Sequence, residues 1–378
     1  MRFLTGGESH GPSVTAIIEG MPAGLSVPVE AIDRELARRQ TGHGRGGRMK
    51  IEADRVEILG GVLGGQTIGG PVVLRISNRD WRNWKERWSA GDLPPLTVPR
   101  PGHADWAGMT KYALDDARLI LERASARETA ARVAVGAVAR TLLHEFGLCV
   151  GSTVIAIGSV TATVPDTSWN AIWDRSERSP VRCADEDASL RMIETIDEAA
   201  ADGDSLGGLF LVTATGVPPG LGSHAHWDRR LDAQLAQAIL SIPAVKGVEI
   251  GPAFDNACLR GTQVHDAIKL DARGNVARLT NRAGGIEGGI SNGQPIIVRA
   301  AMKPIPTTIS PQESVDLASG SPAYTEYQRS DVCAVPPAAV VGEAMVSWVL
   351  AVSLKDKLGG DSLAEMKAHH EAWNCHGS

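Results

Sequence analysis

Two glycine-rich segments of the chain occur twice, and this duplication constrains the fold more than any other feature. The segment GESHGPSVTAIIEGMPAGL (7–25) aligns without a gap with GDSLGGLFLVTATGVPPGL (203–221). The segment GGVLGGQTIGGPVVLR (60–75) aligns in the same way with GGIEGGISNGQPIIVR (284–299). Each alignment keeps glycines and a proline at the same positions, and these residues specify turns. We infer an ancient tandem duplication whose halves contain the same turns in the same order.

A helical pattern lies between the repeated segments in each half. We therefore predict a mixed α/β (α+β) fold in a single domain over 1–378, with internal repeats at approximately 1–150 and 200–355 packed about a pseudo-two-fold axis. Strands are predicted at 13–19, 54–59, 71–76, 152–158, 208–215, 266–270 and 294–300. Helices are predicted at 29–39, 108–121, 126–146, 186–201, 227–241, 337–355 and 362–373.

Two local features refine this prediction. Ser125 and Glu128 have the spacing of a capping box, so the helix that follows is expected to begin there and to stop at Gly147. The segment 77–107 contains four tryptophans among charged residues and is predicted as a long loop that serves as a lid or an assembly surface.

Composition and charge exclude several classes of protein. The chain has a formal net charge of −6, so neither nucleic acid nor a membrane surface is an expected partner. Hydrophobic residues make up 43%, without a run of about 18 apolar residues or the apolar core of a signal peptide. The five cysteines are scattered and form no CxxC pair, which argues against a disulfide framework and a structural metal and favours the cytoplasm.

The duplication provides an internal control for one histidine. The Gly-x-Ser-x-Gly turn contains His10 in the first copy and Leu206 in the second, so the turn itself does not need histidine. Imidazole titrates near neutral pH, which makes His10 a candidate for proton transfer rather than only a turn residue. A second candidate is His103, which follows a Pro-Gly turn and precedes Asp105, a carboxylate that could orient the ring.

Basic residues cluster in four short segments: 38–50, 122–129, 302–307 and 329–331. Guanidinium groups bind phosphate and carboxylate in bidentate fashion, and nearby glycines let the backbone approach a ligand. By itself the 38–50 segment fits a nucleic-acid loop or a solvated charge run equally well. No Walker sequence is present. Together these segments predict a cytoplasmic enzyme for a small, multiply anionic substrate, with a phosphorylated cofactor.

These motifs, in this order, closely resemble the chorismate synthase family. The resemblance runs from residue 6 to past residue 350 and so covers essentially the whole chain. The motifs that carry it are GESHG, GRGGRMKIEADRVEILGGV, RPGHAD, RASARET, DGDSLGG, SIPAVKGVEIG, NRAGGIEGGISNGQPI and RSDVCAVPP.

The resemblance implies the family's β-α-β sandwich, with internal pseudo-symmetry, and a homotetramer. It implies a lyase that uses reduced FMN to convert 5-enolpyruvylshikimate 3-phosphate to chorismate by anti-1,4-elimination of phosphate, with NADPH as the reductant in some forms. The alternatives are a catalytically inactive paralogue and a nucleic-acid-binding protein that uses the arginine loop. The joint presence of the candidate catalytic residues and the acidic net charge argue against both.

The resemblance also assigns roles to residues of this chain. His10 matches the general acid at the leaving phosphate, His103 the histidine beside the flavin, and Asp331 the carboxylate that assists removal of the C6 proton. Substrate binding is assigned to Arg39, Arg45, Arg48 and Arg127, and Arg39 and Arg45 are also assigned to NADPH in forms that use it. FMN contacts are assigned to Arg123, Ala124, Ser125, Ala244, Gly288, Lys303, Pro304, Ile305, Pro306, Thr307 and Arg329.

The chain departs from the family pattern at three places. Ala124 stands where many members have serine, which removes one hydroxyl expected to contact FMN. The segment GPAF (251–254) replaces the commoner Gly-x-Gly-Phe, and His43 stands where tyrosine or another residue is frequent. None of these changes removes a candidate catalytic group.

Overall fold

Two antiparallel β-sheets enclose a layer of helices in the computed structural model, which describes residues 1–47, 51–272 and 274–374. The strands are β1 (Arg2–Gly6), β2 (Ser13–Glu19), β3 (Val56–Gly60), β4 (Val62–Leu63), β5 (Gln66–Thr67), β6 (Val72–Ser77), β7 (Cys149–Ile157), β8 (Val160–Thr161), β9 (Gly208–Thr215), β10 (Val245–Ile250), β11 (Ile268–Leu270), β12 (Val276–Arg278), β13 (Ile286–Glu287), β14 (Ile290–Ser291), β15 (Ile296–Met302), β16 (Glu313–Asp316) and β17 (Ser321–Tyr324). The α-helices are α1 (Val29–Gln40), α2 (Trp81–Ala90), α3 (Asp105–Tyr112), α4 (Arg118–Ala124), α5 (Thr129–His144), α6 (Trp169–Arg178), α7 (Glu186–Ala201), α8 (Leu231–Leu240), α9 (Ala253–Ala257), α10 (Gly261–Val264), α11 (Val335–Leu358) and α12 (Leu363–Asn374).

The two sheets have matching strand orders. The first is β1-β2-β6-β3, and the second contains β7-β9-β15-β10 in the corresponding order, with β8 added at the edge. The register also matches, because Val14 pairs with Ile76 in the first sheet and Phe210 with Ala300 in the second, at equivalent positions of the repeated segments. Alternate residues of these strands are buried, as expected of sheets that cover a core on one face.

Each sheet is joined to a short glycine hairpin, β4–β5 in the first half and β13–β14 in the second. Thr67 Oγ1 donates to Pro22 O at 2.5 Å, and Ser291 Oγ donates to Pro218 O at 2.6 Å. At Gly61 and Gly285 φ is +82° in both, and a Cβ would lie 2.3 or 2.5 Å from a proline carbonyl oxygen, so only glycine fits. These matching contacts support the single domain with two repeated halves and a pseudo-two-fold axis, which stays our proposal.

The helix layer is centred on the packing of α5 against α11. Helix α5 packs on β2 and β6 of the first sheet, and α11 packs on β7 and β9 of the second. The two helices approach closely where Gly136 faces Ala344, because a Cβ on Gly136 would lie 2.3 Å from the Cβ of Ala344. This contact brings the N-terminal ends of both helices toward the site described below.

Helix α11 is long and apolar enough to span a membrane, although no run of this kind was expected from the sequence. However, 94% of its most apolar 18-residue window is buried inside the protein. Helices α1, α5 and α8 and strands β7 and β9 of the second sheet pack against α11, so this helix lies in the core.

The structure corrects several local predictions. The predicted loop 77–107 contains helix α2, and the predicted helix 108–121 is two helices, α3 and α4, because Ala113 adopts a left-handed conformation with φ of 53°. The expected capping box does not form. Ser125 Oγ accepts the N–H of Arg127 in a short 3₁₀ turn, Glu128 instead bonds Thr5 and Arg132, and α5 begins only after that turn. Strands β1 and β10 and helix α6 were not predicted.

Candidate active site

A cavity of about 740 Å³ opens where the first turn of the chain, the loop after α1 and the N-terminal ends of α5 and α11 meet. Its volume is in the range of pockets that enclose small ligands. Segments far apart in sequence contribute to it: the turn at 9–10, the loop at 45–46, the 100–104 turn, the 302–307 segment and the 326–331 segment.

His10 is held in this cavity by Glu122 and Trp84. The His10 Nδ1 atom lies 2.8 Å from Glu122 Oε1, and the backbone N–H of His10 donates to Glu122 Oε2 at 2.7 Å. The Trp84 ring packs against the imidazole with ring centroids 4.3 Å apart. By contrast, Leu206, at the equivalent position of the second copy, packs against the hydrophobic core. The same turn therefore presents an acid–base group to the cavity in one half and a core residue in the other.

His103 is oriented by Asp105, as the sequence indicated. His103 Nδ1 hydrogen-bonds Asp105 Oδ1, and Arg100 Nε donates to Asp105 Oδ2 at 2.8 Å. Burial raises the pKa of Asp105, but hydrogen bonds from His103 and Arg100 outweigh burial and hold the pKa well below its usual range. Arg100 also donates to Thr307 Oγ1 at 3.2 Å, so this network joins the 100–105 turn to the 302–307 segment.

Asp331 faces the arginine loop that follows α1. Arg45 Nη1 donates to Asp331 Oδ2 at 2.5 Å, and the backbone N–H of Gly46 donates to Oδ1 at 2.7 Å. Both carboxylate oxygens are therefore fixed by the loop, which places the carboxylate at the cavity wall in a single orientation.

Arg39 and Arg127 share one buried carboxylate. Arg39 Nη2 donates to Asp54 Oδ2 at 2.8 Å, and Arg127 Nη1 donates to Asp54 Oδ1 at 2.6 Å. Burial and the neighbouring Arg127 lower the pKa of Arg39, against the opposing effect of Asp54. Arg127 Nη2 also lies 3.9 Å from a carboxylate oxygen of the buried Glu52, so two carboxylates balance the two guanidinium groups.

Two further cations of the cavity make no ion pair with a carboxylate in the described ranges. Arg118 Nη2 donates to Pro94 O at 3.1 Å, and Lys303 Nζ donates to Gly102 O at 2.8 Å. Burial, followed by the nearby charge of Lys246, lowers the pKa of Lys303. The buried Nε atoms of Arg39, Arg45 and Arg118 also have no hydrogen-bond partner within the part of the chain that the structure describes. Unpaired buried donors of this kind fit an anionic ligand.

Most residues predicted for the site come together in this cavity. Three do not line it: Arg123 donates to the Gly7 and Thr5 backbone oxygens, Gly288 is exposed at the turn between β13 and β14, and Pro304 is exposed. Arg48 lies outside the described residues. The predicted residues that line the cavity are His10, Arg39, Arg45, His103, Ala124, Ser125, Arg127, Ala244, Lys303, Ile305, Pro306, Thr307, Arg329 and Asp331.

Four residues of the site were not assigned from the sequence: Trp84, Arg100, Arg118 and Glu122. Arg100 is the first residue of the RPGHAD motif and Glu122 the first residue of the segment ERASARET (122–129). Both therefore lie in segments from which other site residues were predicted. The tryptophans of α2 recur at helical spacing, which is a signal for a helix that was missed. Nothing in the local sequence distinguishes Arg118 from an ordinary helical arginine.

The fold and the cavity are those of an α/β enzyme with a small-molecule substrate. A profile of the chorismate synthase family matches residues 1–354. The chorismate synthases of Desulforudis audaxviator and Desulforamulus reducens are 54% and 55% identical to this chain, over 99% of it and over 97% and 98% of their own lengths. A crystal structure of chorismate synthase, 44% identical, matches with a TM-score of 0.81 over 99% of this chain and 97% of that one.

The chain belongs to the chorismate synthase family. It is accordingly a carbon–oxygen lyase with a small-molecule substrate, and the predicted family and fold class are confirmed.

Proposed function

We propose that this enzyme catalyses the anti-1,4-elimination of phosphate from 5-enolpyruvylshikimate 3-phosphate, with loss of a proton from C6, to give chorismate for aromatic amino-acid synthesis. One observation carries the proposal: His10, Asp331 and several arginines line the same cavity. Such an elimination needs an acid at the leaving group, a base at the departing proton and cations that stabilise the developing charge. The cavity contains a candidate for each.

The donor set of the cavity also fits a phosphorylated flavin. Lys303 supplies a half-buried cation without a carboxylate partner in the described residues, and Ile305 and Pro306 supply apolar wall beside it. Ala244 adopts φ of +67°, and its carbonyl accepts the backbone N–H of Lys303 at 3.0 Å, which brings the 302–307 segment close to α8. We assign FMN to this region. Reduced FMN supplies electron density that weakens the C–O bond to phosphate.

Residues of the protein donate and accept the protons of the reaction. In its doubly protonated form His10 donates the Nε2 proton to the departing phosphate, and the neutral ring that remains keeps its other proton on Nδ1, paired with Glu122. Asp331 accepts the proton from C6, and its two hydrogen bonds keep the carboxylate at the wall for that purpose. His103 is paired with Asp105 and directly follows Gly102, whose carbonyl binds Lys303, and we assign His103 a hydrogen bond to the flavin.

The arginines bind the substrate and balance its charge. Arg39 and Arg127 line the cavity, and the buried Nε of Arg39 has no hydrogen-bond partner in the described residues, so we assign both to the carboxylates and phosphate of the substrate. Arg45 pairs with Asp331 and also lines the cavity. We assign Arg48 to the same task from the family motif, and we assign NADPH, where it serves as reductant, to Arg39 and Arg45.

The assembly and location follow from the same family. We propose a cytoplasmic homotetramer that binds neither nucleic acid nor membrane. The outer face of the first sheet supports an assembly, because Leu4 and Ile17, paired across β1 and β2, are 68% and 43% exposed.

The proposal is tested by an anaerobic assay with 5-enolpyruvylshikimate 3-phosphate and chemically reduced FMN. Phosphate and chorismate are expected in equal amounts, and their formation should require the flavin. The assay repeated with oxidised FMN and NADPH as sole reductant determines whether the enzyme reduces its own flavin. No turnover with authentic substrate and reduced FMN contradicts the proposal.

A variant tests the role of His10. His10→Ala is expected to reduce turnover by about two orders of magnitude or more, as the loss of a general acid does. His226→Ala is the matched control, because His226 is an exposed histidine paired with Asp228 outside the cavity. Near-normal turnover of His10→Ala would show that His10 is a turn residue and not the general acid.

A further inference from the structure

Both carboxylate oxygens of Glu122 bind the same residue, His10. Oε2 accepts the backbone N–H of His10, and Oε1 lies 2.8 Å from His10 Nδ1. The Glu122 carbonyl oxygen also accepts the N–H of Ser9 at 3.0 Å, so α4 is bonded to the turn at three points. Glu122 is 6% exposed and forms no ion pair with lysine or arginine among the described residues.

This arrangement selects one protonation pattern of the imidazole. A carboxylate only accepts hydrogen bonds, so the proton of the neutral ring resides on Nδ1, and Nε2 is left for the cavity. Turning the ring away would break the Nδ1 bond, while the bond from the His10 backbone N–H keeps the carboxylate beside the ring. The Trp84 ring, tilted 45° to the imidazole, closes one side.

We propose that Glu122 is the positioning residue for His10, holding its protonated Nδ1 so that Nε2 faces the phosphate that leaves the substrate. The part of this inference that concerns the phosphate rests on the proposed function. The part that concerns the imidazole is a property of the free protein and is testable without substrate.

The Glu122→Gln substitution provides the sharpest test. The backbone N–H of His10 requires the amide oxygen of the glutamine, which leaves the amide NH₂ facing Nδ1. Nδ1 must then accept a hydrogen bond, so the neutral ring is expected to carry its proton on Nε2 instead. The substitution keeps the size of the side chain and reverses the tautomer.

The tautomer is measured by ¹⁵N magic-angle-spinning NMR of sedimented, histidine-labelled protein without ligand. The His10 resonances are identified by their loss in His10→Ala. We expect a protonated Nδ1 and an unprotonated Nε2 for neutral His10 in the wild type, and the reverse in Glu122→Gln. An unchanged pattern in Glu122→Gln, or Nε2 protonation in the wild type, overturns the inference.

Kinetics provide a second readout that a purely structural role would not reproduce. Glu122→Gln is expected to lower kcat at least tenfold with KM within about twofold, because the change affects proton transfer rather than binding. Glu122→Asp, which keeps the carboxylate, should retain the wild-type tautomer and more of kcat. Glu86→Gln on the exposed face of α2 is the control and should match the wild type.

The outcomes separate this inference from the proposed function. If the wild type has no lyase activity, the proposed function fails, while the NMR result still decides whether Glu122 sets the tautomer. If the wild type is active and Glu122→Gln keeps its full kcat, the positioning role is wrong.

Discussion

Arg45 and Asp331 lie 286 residues apart in the chain and form an ion pair 2.5 Å long at the cavity wall. Gly46 donates its backbone N–H to the second oxygen of the same carboxylate. The loop after α1 therefore determines where the carboxylate of the segment before α11 points. This contact joins the two repeated halves at the place where we assign removal of the C6 proton.

The role of Asp331 as a proton acceptor predicts the behaviour of Asp331→Asn. Asparagine retains the shape and can still accept from Gly46, but it does not take a proton. Turnover should fall by about two orders of magnitude or more, with a much smaller change in KM. Asp356→Asn, at an exposed ion pair with Arg229, should leave turnover unchanged. An active Asp331→Asn enzyme would show that another group accepts the proton.

The unpaired charge of Arg118 predicts a binding defect. Arg118 lines the cavity and stacks over the Trp84 ring, and its Nε lacks a partner in the described residues. A hydrogen bond to a charged group contributes about 1.5–3 kcal/mol. Arg118→Met should therefore raise KM roughly 10- to 100-fold. Lys85→Met, which removes an exposed cation of α2, is the control. An unchanged KM in the Arg118 variant would place the substrate away from this arginine.

The buried carboxylate of Glu343 predicts a large loss of stability on neutralisation. Glu343 accepts hydrogen bonds from Arg38, Arg140 and Arg182 at 2.7–2.9 Å in the middle of the helix layer. Glu343→Gln leaves these guanidinium groups without their shared anion. The free energy of unfolding at pH 7 should fall by about 3–5 kcal/mol. Glu19→Gln, at the exposed pair with Arg2, should change it by less than about 1 kcal/mol.

The same carboxylate predicts how stability depends on pH. Burial raises the pKa of Glu343, but the three arginines outweigh burial and hold the pKa below its usual range. The carboxylate of Glu343 therefore stabilises the fold fully when the pH is above its pKa in the unfolded chain, about 4.3. This stabilisation is lost as the pH falls through the lower pKa of Glu343 in the folded protein. Urea denaturation at fixed protein concentration should show the difference between wild type and Glu343→Gln shrinking below about pH 4. A difference that stays constant in acid would contradict this account.

The contact between α5 and α11 predicts that a helix-favouring substitution is harmful. Alanine is about 1 kcal/mol better than glycine in a helix. However, a Cβ at Gly136 would lie 2.3 Å from the Cβ of Ala344, and overpacking costs about 1–3 kcal/mol. Gly136→Ala should therefore lower the melting temperature, and the double change with Ala344→Gly should recover part of it. Gly70→Ala, with nothing within 4 Å of the added Cβ, should leave it near the wild-type value.

Much of the scaffold could be predicted because its causes are local. The glycine and proline turns, strands β2 and β9 and helix α7 follow from backbone preference and side-chain period, which neighbouring residues determine. The predictions failed where long-range packing decided the outcome. Glu128 bonds Thr5, 123 residues away, rather than closing a capping box. Strand β1 forms at the edge of the first sheet by pairing with β2.

The candidate site, like the fold, has features that the sequence predicted and features that only the structure shows. The sequence by itself determined the family, the repeated turns and the difference between His10 and Leu206, because motifs and internal repeats are visible along the chain. Only the tertiary structure decided which charges neutralise one another and which face the cavity unpaired. Glu122 reaches His10 across 112 residues, whereas Arg118 finds no carboxylate in the described residues. Ion pairing and hydrogen bonding depend on distance in space, and order along the chain does not determine that distance.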